Sequence, residues 1–501
     1  MTPGAARPTW ALCLLAAVAG AIGSAAHAPF LFAPAILLPL VAGFALLPLM
    51  PQPRGAFWVG WALGIGYFAP TLSWITEPFQ VDAATTGWMA PFALILLAAL
   101  LGAFWAAALA LAVWTGGRPW MLALSWAGAE MLRAYLFTGF PWATPPQALI
   151  DSWPGQGLAW LGPHGMMLAL TGLIALSLAL PWVRVAAPAV WALMSMALLP
   201  QATPAPAPLT GHTIRLVQPN APQDEKWDPL RIPVFVNRQI DYTAAGPVPD
   251  LVLWPETALP YLVENAQPVF DAIADAARGA PVVLGIQRRV QSDYYNSLVV
   301  LDAAGAVAQT YDKHHLVPFG EYMPAEWFFR RIEVGGLAAR TDGGYAAGPG
   351  PRLLDLGPLG RALPLICYEA VFAHDVGRAP ARPAFLMQLT NDAWFGSRSG
   401  PQQHLAQARM RAIEQGLPMV RAANTGISAM IDPRGQVTAA LPLNTAGYLD
   451  VTLPQPGVPT IYSRTGDTPW ALILMAGLIA SVLHRARARR AGAIDVPQGR
   501  A

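Results

Sequence analysis

The sequence predicts two fold classes in one chain: a multi-pass α-helical membrane region, and a layered α/β or α+β sandwich domain. Three observations predict this. Hydrophobic residues make up 54% of the chain and charged residues only 12%, against about 25% charged in an ordinary soluble domain, and mean hydropathy is +0.40. The apolar residues are concentrated in residues 1–200 and in 469–483. Between those zones, short apolar runs alternate with helical stretches, the pattern of strands layered against helices.

The first zone is justified by length. A membrane-crossing helix needs about 20 apolar residues. Residues 10–28, 31–50, 56–76, 88–114, 119–138, 160–181 and 185–200 give seven such runs. An eighth, 469–483 "PWALILMAGLIASVL", is short but carries Trp470 as an interfacial anchor, and a basic stretch "HRARARR" follows it. The expected domains are 1–200 (membrane), 201–210 (a Pro/Ala linker), 211–455 (the α/β domain), 469–484 (the last span) and 485–501 (a basic cytoplasmic tail). Arg7, Arg54, Arg118, Arg184, Arg485, Arg487, Arg489 and Arg490 all fall on one side of this arrangement. Glu77, Asp82 and Asp151 fall on the other, without Lys or Arg. Positive loops stay cytoplasmic, so both termini are expected in the cytoplasm and the α/β domain in the periplasm. Ala26-His27-Ala28 offers a signal-peptide cleavage signature, but Pro29 in the first mature position argues against cleavage. Glu130 and Arg133, three apart within an apolar run, are expected to pair inside the bundle. Trp74, Trp88, Trp142 and Trp153 are expected at the membrane interface.

In the α/β domain, strands are predicted at 213–218, 250–254, 281–286, 297–302, 362–367, 384–390, 418–423 and 427–431. Helices are predicted at 267–278 and 401–416, and hairpin turns at "DAAG" (302–305) and "DPRG" (432–435). A net charge of +2 gives no reason to expect a nucleic-acid partner. Two cysteines exclude a disulfide framework, and no Cys/His spacing reads as a metal site. No cofactor is expected.

Four stretches carry polar residues beside apolar strands. In "LVLWPETALP", Glu256 reads first as a helix cap or surface carboxylate and second as a general base. In "YDKHHLVPFGEYMP", Lys313 reads as solvated surface or as a cation for a developing oxyanion, with Glu321 near it. In "LPLICYEA", Cys367 is either a small core residue or a nucleophile that needs a base and a cation nearby. In "LTNDAWFG", Asn391, Asp392, Trp394 and Phe395 read as turn chemistry or as part of a site. Each stretch alone is ambiguous. Glu, Lys and Cys in that order, each at a strand end of one domain, form a stronger pattern.

These three blocks resemble the catalytic blocks of the nitrilase, or carbon–nitrogen hydrolase, superfamily. With the apolar runs around them, and with "TGFPW" (138–142), "VQPNAPQDEKW" (217–227) and "NDAWFG" (391–396), the chain is similar to the bacterial apolipoprotein N-acyltransferases over nearly its full length. The resemblance implies an αββα sandwich and a triad in which Glu256 is the base, Lys313 stabilises the oxyanion and Cys367 is the nucleophile. It gives Glu321, Tyr368 and Glu369 supporting roles and places Trp227 on a mobile arm. It also implies the reaction. An acyl chain passes from a phospholipid of the phosphatidylethanolamine type, through a thioester on Cys367, to the α-amino group of the diacylglyceryl-cysteine of an apolipoprotein. The expected partners are therefore these two lipid-bearing substrates and the bilayer, and the chain is expected to act as a monomer in the inner membrane. A membrane-anchored amidase would share the triad, but one anchor would suffice for it. An inactive lipid-binding scaffold would need no triad.

Overall fold

The computed structural model describes residues 9–179, 192–200, 207–324, 327 and 344–494. They fall into two compact units. One comprises Met1–Ser73, Leu94–Gln201 and Arg464–Ala501, and the other Trp74–Ala93 and Ala202–Ser463.

The first unit is helical: Thr9–Gly23, Leu37–Leu46, Pro53–Thr71, Ala90–Trp114, Pro119–Tyr135, Leu158–Ala179 and Thr468–Ile494. Among the described residues, four segments are long and apolar enough to cross a membrane: Thr9–Ala26, Ala83–Trp114, Trp153–Leu178 and Thr468–Arg487. The run expected at 31–50 is broken into a short helix between two 3₁₀ turns, Ala33–Ile36 and Leu47–Leu49. Of the run expected at 185–200, residues 185–191 lie outside the described residues and 192–197 are helical. The last helix runs on past 484 into the basic stretch.

Glu130 and Arg133 pair as expected, at 2.6 Å and almost wholly buried. Trp105 Nε1 donates to Glu130 Oε1 at 2.7 Å, and Arg133 Nη1 donates to the Trp142 carbonyl at 2.9 Å. Two of the four tryptophans expected at the interface are buried inside the protein. Trp142 is buried in this unit, and Trp74 is buried in the other, where its Nε1 donates to Gln403 Oε1 at 3.2 Å and its ring meets Phe395 edge-on. Their neighbours explain the difference: each ring found a packing partner or an acceptor within its own unit. Trp88 and Trp153 are exposed.

The second unit holds two six-stranded sheets. The first has the order β12-β1-β2-β3-β4-β5: Gly447–Pro454, Leu209–Gln218, Leu251–Leu253, Val282–Val290, Asp293–Leu301 and Val307–Asp312. The second has the order β11-β10-β9-β8-β7-β6: Val437–Leu441, Ser428–Ile431, Met419–Ala423, Phe385–Thr390, Arg361–Ile366 and Leu354–Asp355. Strand alternation sends one set of apolar residues inward and the other outward. Ile214, Leu216 and Leu253 of the first sheet share a core with Ile366, Met387 and Val420 of the second. Val252, Val282 and Leu284 face away, toward helices Ile232–Ala244 and Gln267–Ala277. Leu363, Leu365 and Met419 face helix Gly400–Gln415. The result is four layers, αββα. Both hairpin turns form as expected, each with an Asp side chain accepting from two backbone amides: Asp302 from Ala304 and Ala306, Asp432 from Arg434 and Gln436.

Candidate active site

Strand β7 ends at Ile366, and Cys367 opens a 3₁₀ turn, Cys367–Val371, with φ +48°. A left-handed residue with a side chain costs about 1–3 kcal/mol and persists only where its surroundings hold it. Glu369 does part of the holding. Its Oε2 accepts the Ile366 amide at 2.7 Å, while its Oε1 accepts the His314 amide at 2.8 Å and the Tyr311 hydroxyl at 2.9 Å. One fully buried carboxylate thus ties the cysteine turn to the segment that follows Lys313.

Glu256 follows β2 after Trp254 and Pro255. Its loop crosses β3 at Gly285, where a Cβ would lie 2.6 Å from the Glu256 Cα. Only glycine allows that approach. Glu256 Oε1 accepts from Asn296 Nδ2 at 2.8 Å and lies 3.4 Å from Lys313 Nζ, and its Oε2 accepts the Asn391 amide at 2.8 Å. Lys313, 1% exposed, also donates to Glu321 Oε1 at 2.9 Å. Glu321 Oε2 in turn accepts the Val317 amide at 2.8 Å. Asn296 donates to both carboxylates, to Glu321 Oε1 at 2.8 Å as well.

This cluster sets the local electrostatics. Burial works against the Lys313 ammonium, but the Glu321 and Glu256 carboxylates outweigh it and hold the proton on well above the usual lysine range. Burial pushes the Cys367 thiol up strongly, Glu256 adds to the rise, and Lys313 offsets it only in part. The resting arrangement is a neutral thiol under the influence of a carboxylate and a fixed ammonium. Such a set can move a proton from sulfur to carboxylate while the cation meets negative charge forming on an acyl oxygen.

Of the residues singled out in the sequence, Glu256, Lys313 and Glu321 form one hydrogen-bonded cluster that acts electrostatically on Cys367. Tyr368 is buried, its ring edge-on to His315 and Phe372. Trp227 is 42% exposed and follows the buried Lys226, whose Nζ lies 5.9 Å from its ring centre. Burial lowers Lys226 to about 8, with Glu256 pulling the other way. Asn296 escaped the sequence reading. Its signal was an amide in an otherwise apolar stretch of β4, "NSLVVL".

Comparison with known proteins gives the family of the chain. Residues 216–460 match the carbon-nitrogen hydrolase family model, and residues 19–173 match that of the apolipoprotein N-acyltransferase N-terminal domain. An apolipoprotein N-acyltransferase of Rhodopseudomonas palustris is 37% identical over 95% of this chain and 96% of its own. That of Bradyrhizobium diazoefficiens is 38% identical over 96% of each chain, and that of Caulobacter vibrioides 37% over 95% of each. Among solved structures, an amidase from Nesterenkonia sp. aligns with 50% of this chain and 94% of its own, at 20% identity and a TM-score of 0.36. Identity at this level over the whole length, with both family models matched, places the chain: it belongs to the apolipoprotein N-acyltransferase family.

Proposed function

We propose that this membrane acyltransferase works through Cys367, with Glu256 as general base and Lys313 as oxyanion cation. The observation that carries the reading is the buried Lys313 held between two carboxylates, with Glu256 and Lys313 both acting on the Cys367 thiol. In the first step, sulfur attacks the ester carbonyl of a phospholipid of the phosphatidylethanolamine type, and Glu256 takes the thiol proton. The C–S bond forms, the ester C–O bond breaks, and the proton passes to the departing lysophospholipid alcohol. In the second step, the α-amino group of a diacylglyceryl-cysteine attacks the thioester. The amide forms, the C–S bond breaks, and Glu256 carries the amine proton back to sulfur. Lys313, fixed as a cation, meets the oxyanion in both steps, with the Tyr368 amide as a second donor. Splitting the transfer through a covalent intermediate replaces one difficult step by two easier ones.

Glu321, through Lys313, and Glu369, through the cysteine turn, position the triad in this reading, and Trp227 lies on the arm that admits lipid. In this reading the chain crosses the inner membrane about eight times, a count that rests on the eight apolar runs of the sequence; four segments among the described residues are long and apolar enough for it. The positive loops put both termini in the cytoplasm and residues 211–455 in the periplasm.

Intact mass analysis tests the proposal. Purified protein incubated with phosphatidylethanolamine gains one acyl chain, hydroxylamine removes it, and Cys367→Ala gains none. A diacylated lipopeptide then takes up the acyl chain. Wild-type protein without an adduct sinks the thioester, and release of free fatty acid alone makes the protein a hydrolase.

A further inference from the structure

Beneath the Cys367 turn lies a second polar cluster, separate from the Glu256–Lys313–Glu321 set. Gln388, Thr390, Asp392, His404 and Arg421 are each 0% exposed. Sequence register brings part of it together: β8 and β9 run parallel with Gln388 paired to Arg421, so both side chains leave the sheet on one face. His404 comes from helix Gly400–Gln415, and Asp392 from the turn after β8. Backbone approach at Gly426 leaves room for the Asp392 carboxylate, since a Cβ there would fall 2.3 Å from its Oδ2.

The contacts close on themselves. Arg421 Nη2 donates to Asp392 Oδ2 at 2.6 Å, and its Nη1 donates to Gln388 Oε1. That second bond fixes the amide, so Gln388 Nε2 is the end that faces the Cys367 carbonyl at 3.1 Å and His404 Nε2 at 3.2 Å. His404 Nδ1 lies 2.9 Å from Asp392 Oδ1, a distance that requires a proton between them. His404 Nε2 also lies 3.1 Å from the Cys367 carbonyl. Nδ1–H donates to Asp392 throughout; Nε2 accepts from a Gln388 N–H when bare and donates to the Cys367 carbonyl when protonated, so that carbonyl is met by Gln388 or by His404 itself. Thr390 joins the ring: its hydroxyl donates to Asp392 Oδ1 at 2.8 Å. Burial raises the Asp392 carboxyl, but Arg421 and His404 outweigh it and hold it down at about 2. Burial and Arg421 lower His404, consistent with a neutral ring.

We infer that Arg421, Gln388, His404 and Asp392 form a closed hydrogen-bonded ring that grips the Cys367 carbonyl and keeps the nucleophile's left-handed backbone in place for acyl transfer. His404 and Gln388 are thereby positioning residues. They touch the peptide that carries the nucleophile rather than the substrate. The inference rests on the reading of Cys367 as the nucleophile.

The test uses the full-length protein in detergent micelles with phosphatidylethanolamine. Single-turnover acylation of Cys367, read by intact mass, is followed against lipid concentration. His404→Ala is expected to lower the limiting acylation rate about 100-fold, the scale of a 1 Å misplacement, with half-saturating lipid unchanged within about twofold. His404→Gln, whose amide reaches the place of Nε2, recovers most of that loss. A packing role alone would move the thermal midpoint of both variants alike and separate neither rate from saturation. Gln388→Met, close in volume, is expected to lose about tenfold and keeps the question open to refutation if His404→Ala does not fold. Wild-type rates in His404→Ala or Gln388→Met overturn the ring, as does His404→Gln acylating no faster than His404→Ala. An adduct that persists in Cys367→Ala overturns the nucleophile reading and the ring's role with it. That outcome is distinguishable, because in either failure of the ring alone the adduct still depends on Cys367 and is absent from Cys367→Ala.

Discussion

Glu130–Arg133 in the helical unit and Glu256–Lys313–Glu321 in the αββα unit are both almost wholly hidden from solvent, yet they are built to different rules. The first is balanced: one carboxylate, one guanidinium, three residues apart on one helix. Its spare hydrogen-bonding capacity is used up on Trp105 and on the carbonyls of Phe140 and Trp142. The second is unbalanced, two carboxylates around one ammonium, with Glu256 brought from a loop 57 residues away from Lys313. It also acts on a thiol that burial keeps protonated. The difference teaches how to tell a structural ion pair from a chemical one when both are buried. The structural pair is saturated and local. The chemical cluster carries an uneven charge count, assembled from distant segments, that can absorb a proton.

Removing the cation from each cluster separates the two. Lys313→Met is expected to lower the limiting rate of acyl transfer roughly 10²–10³-fold, as loss of an oxyanion donor does. Arg133→Met is expected to leave the rate per folded molecule within about twofold but to cost about 3–5 kcal/mol of stability, because a buried carboxylate is left alone. Adding Glu130→Leu to Arg133→Met then restores most of that stability, whereas no apolar pair at 256 and 313 restores activity. Rate measurements beside thermal melts decide the matter. A similar rate loss in Arg133→Met would erase the distinction.

The thiol gives a sharper, smaller effect. With its ionisation pushed far up by burial and by Glu256, Cys367 stays neutral through physiological pH. Its alkylation by iodoacetamide should therefore keep rising with pH through about 10, past the ordinary thiol range near 8.5. A plateau near neutrality would mean a preformed thiolate and would transfer the proton-accepting role away from the attack step.

The smallest effect concerns the flank of the site. His314 is raised from 6.5 to about 9, against its burial, by Asp375 and Glu369. A histidine raised in the folded state stabilises fully below its unfolded value and loses that contribution as pH rises through the folded one. The thermal midpoint of wild type should fall between about pH 7 and 9, and His314→Gln should flatten that slope. An equal slope in both proteins would assign it elsewhere.

These contrasts also mark what could be read from the chain beforehand. Glu256, Lys313 and Cys367 were visible because each is a lone chemical group ending an apolar run. Glu130 and Arg133 were visible because helical spacing pairs residues three apart. Arg421 lay unnoticed inside "PMVRAA", although a guanidinium in a buried strand demands an anion. Its partner Asp392 stands 29 residues away, a pairing set only by the register of β8 and β9. Strands β5 and β11 were missed for a different reason. Their residues are largely exposed or half-exposed, so the alternation that signals a strand is faint, and pairing with their hairpin partners defines them. Strand β12 is similar over its first half, where pairing with β1 rather than burial defines it.

The segment Trp74–Ala93 belongs with the αββα unit although it is made long before the rest of it. Trp74 waits for Gln403, 329 residues further along. Ribosomes add about 5–20 residues per second, so roughly 15–65 s of synthesis separate the indole from its acceptor. During that interval Trp74 has neither Gln403 nor Phe395 to cover it. The unit cannot mature as one continuous stretch of nascent chain, and a fragment begun at Ala202 lacks the contacts that Trp74 makes with Gln403 and Phe395.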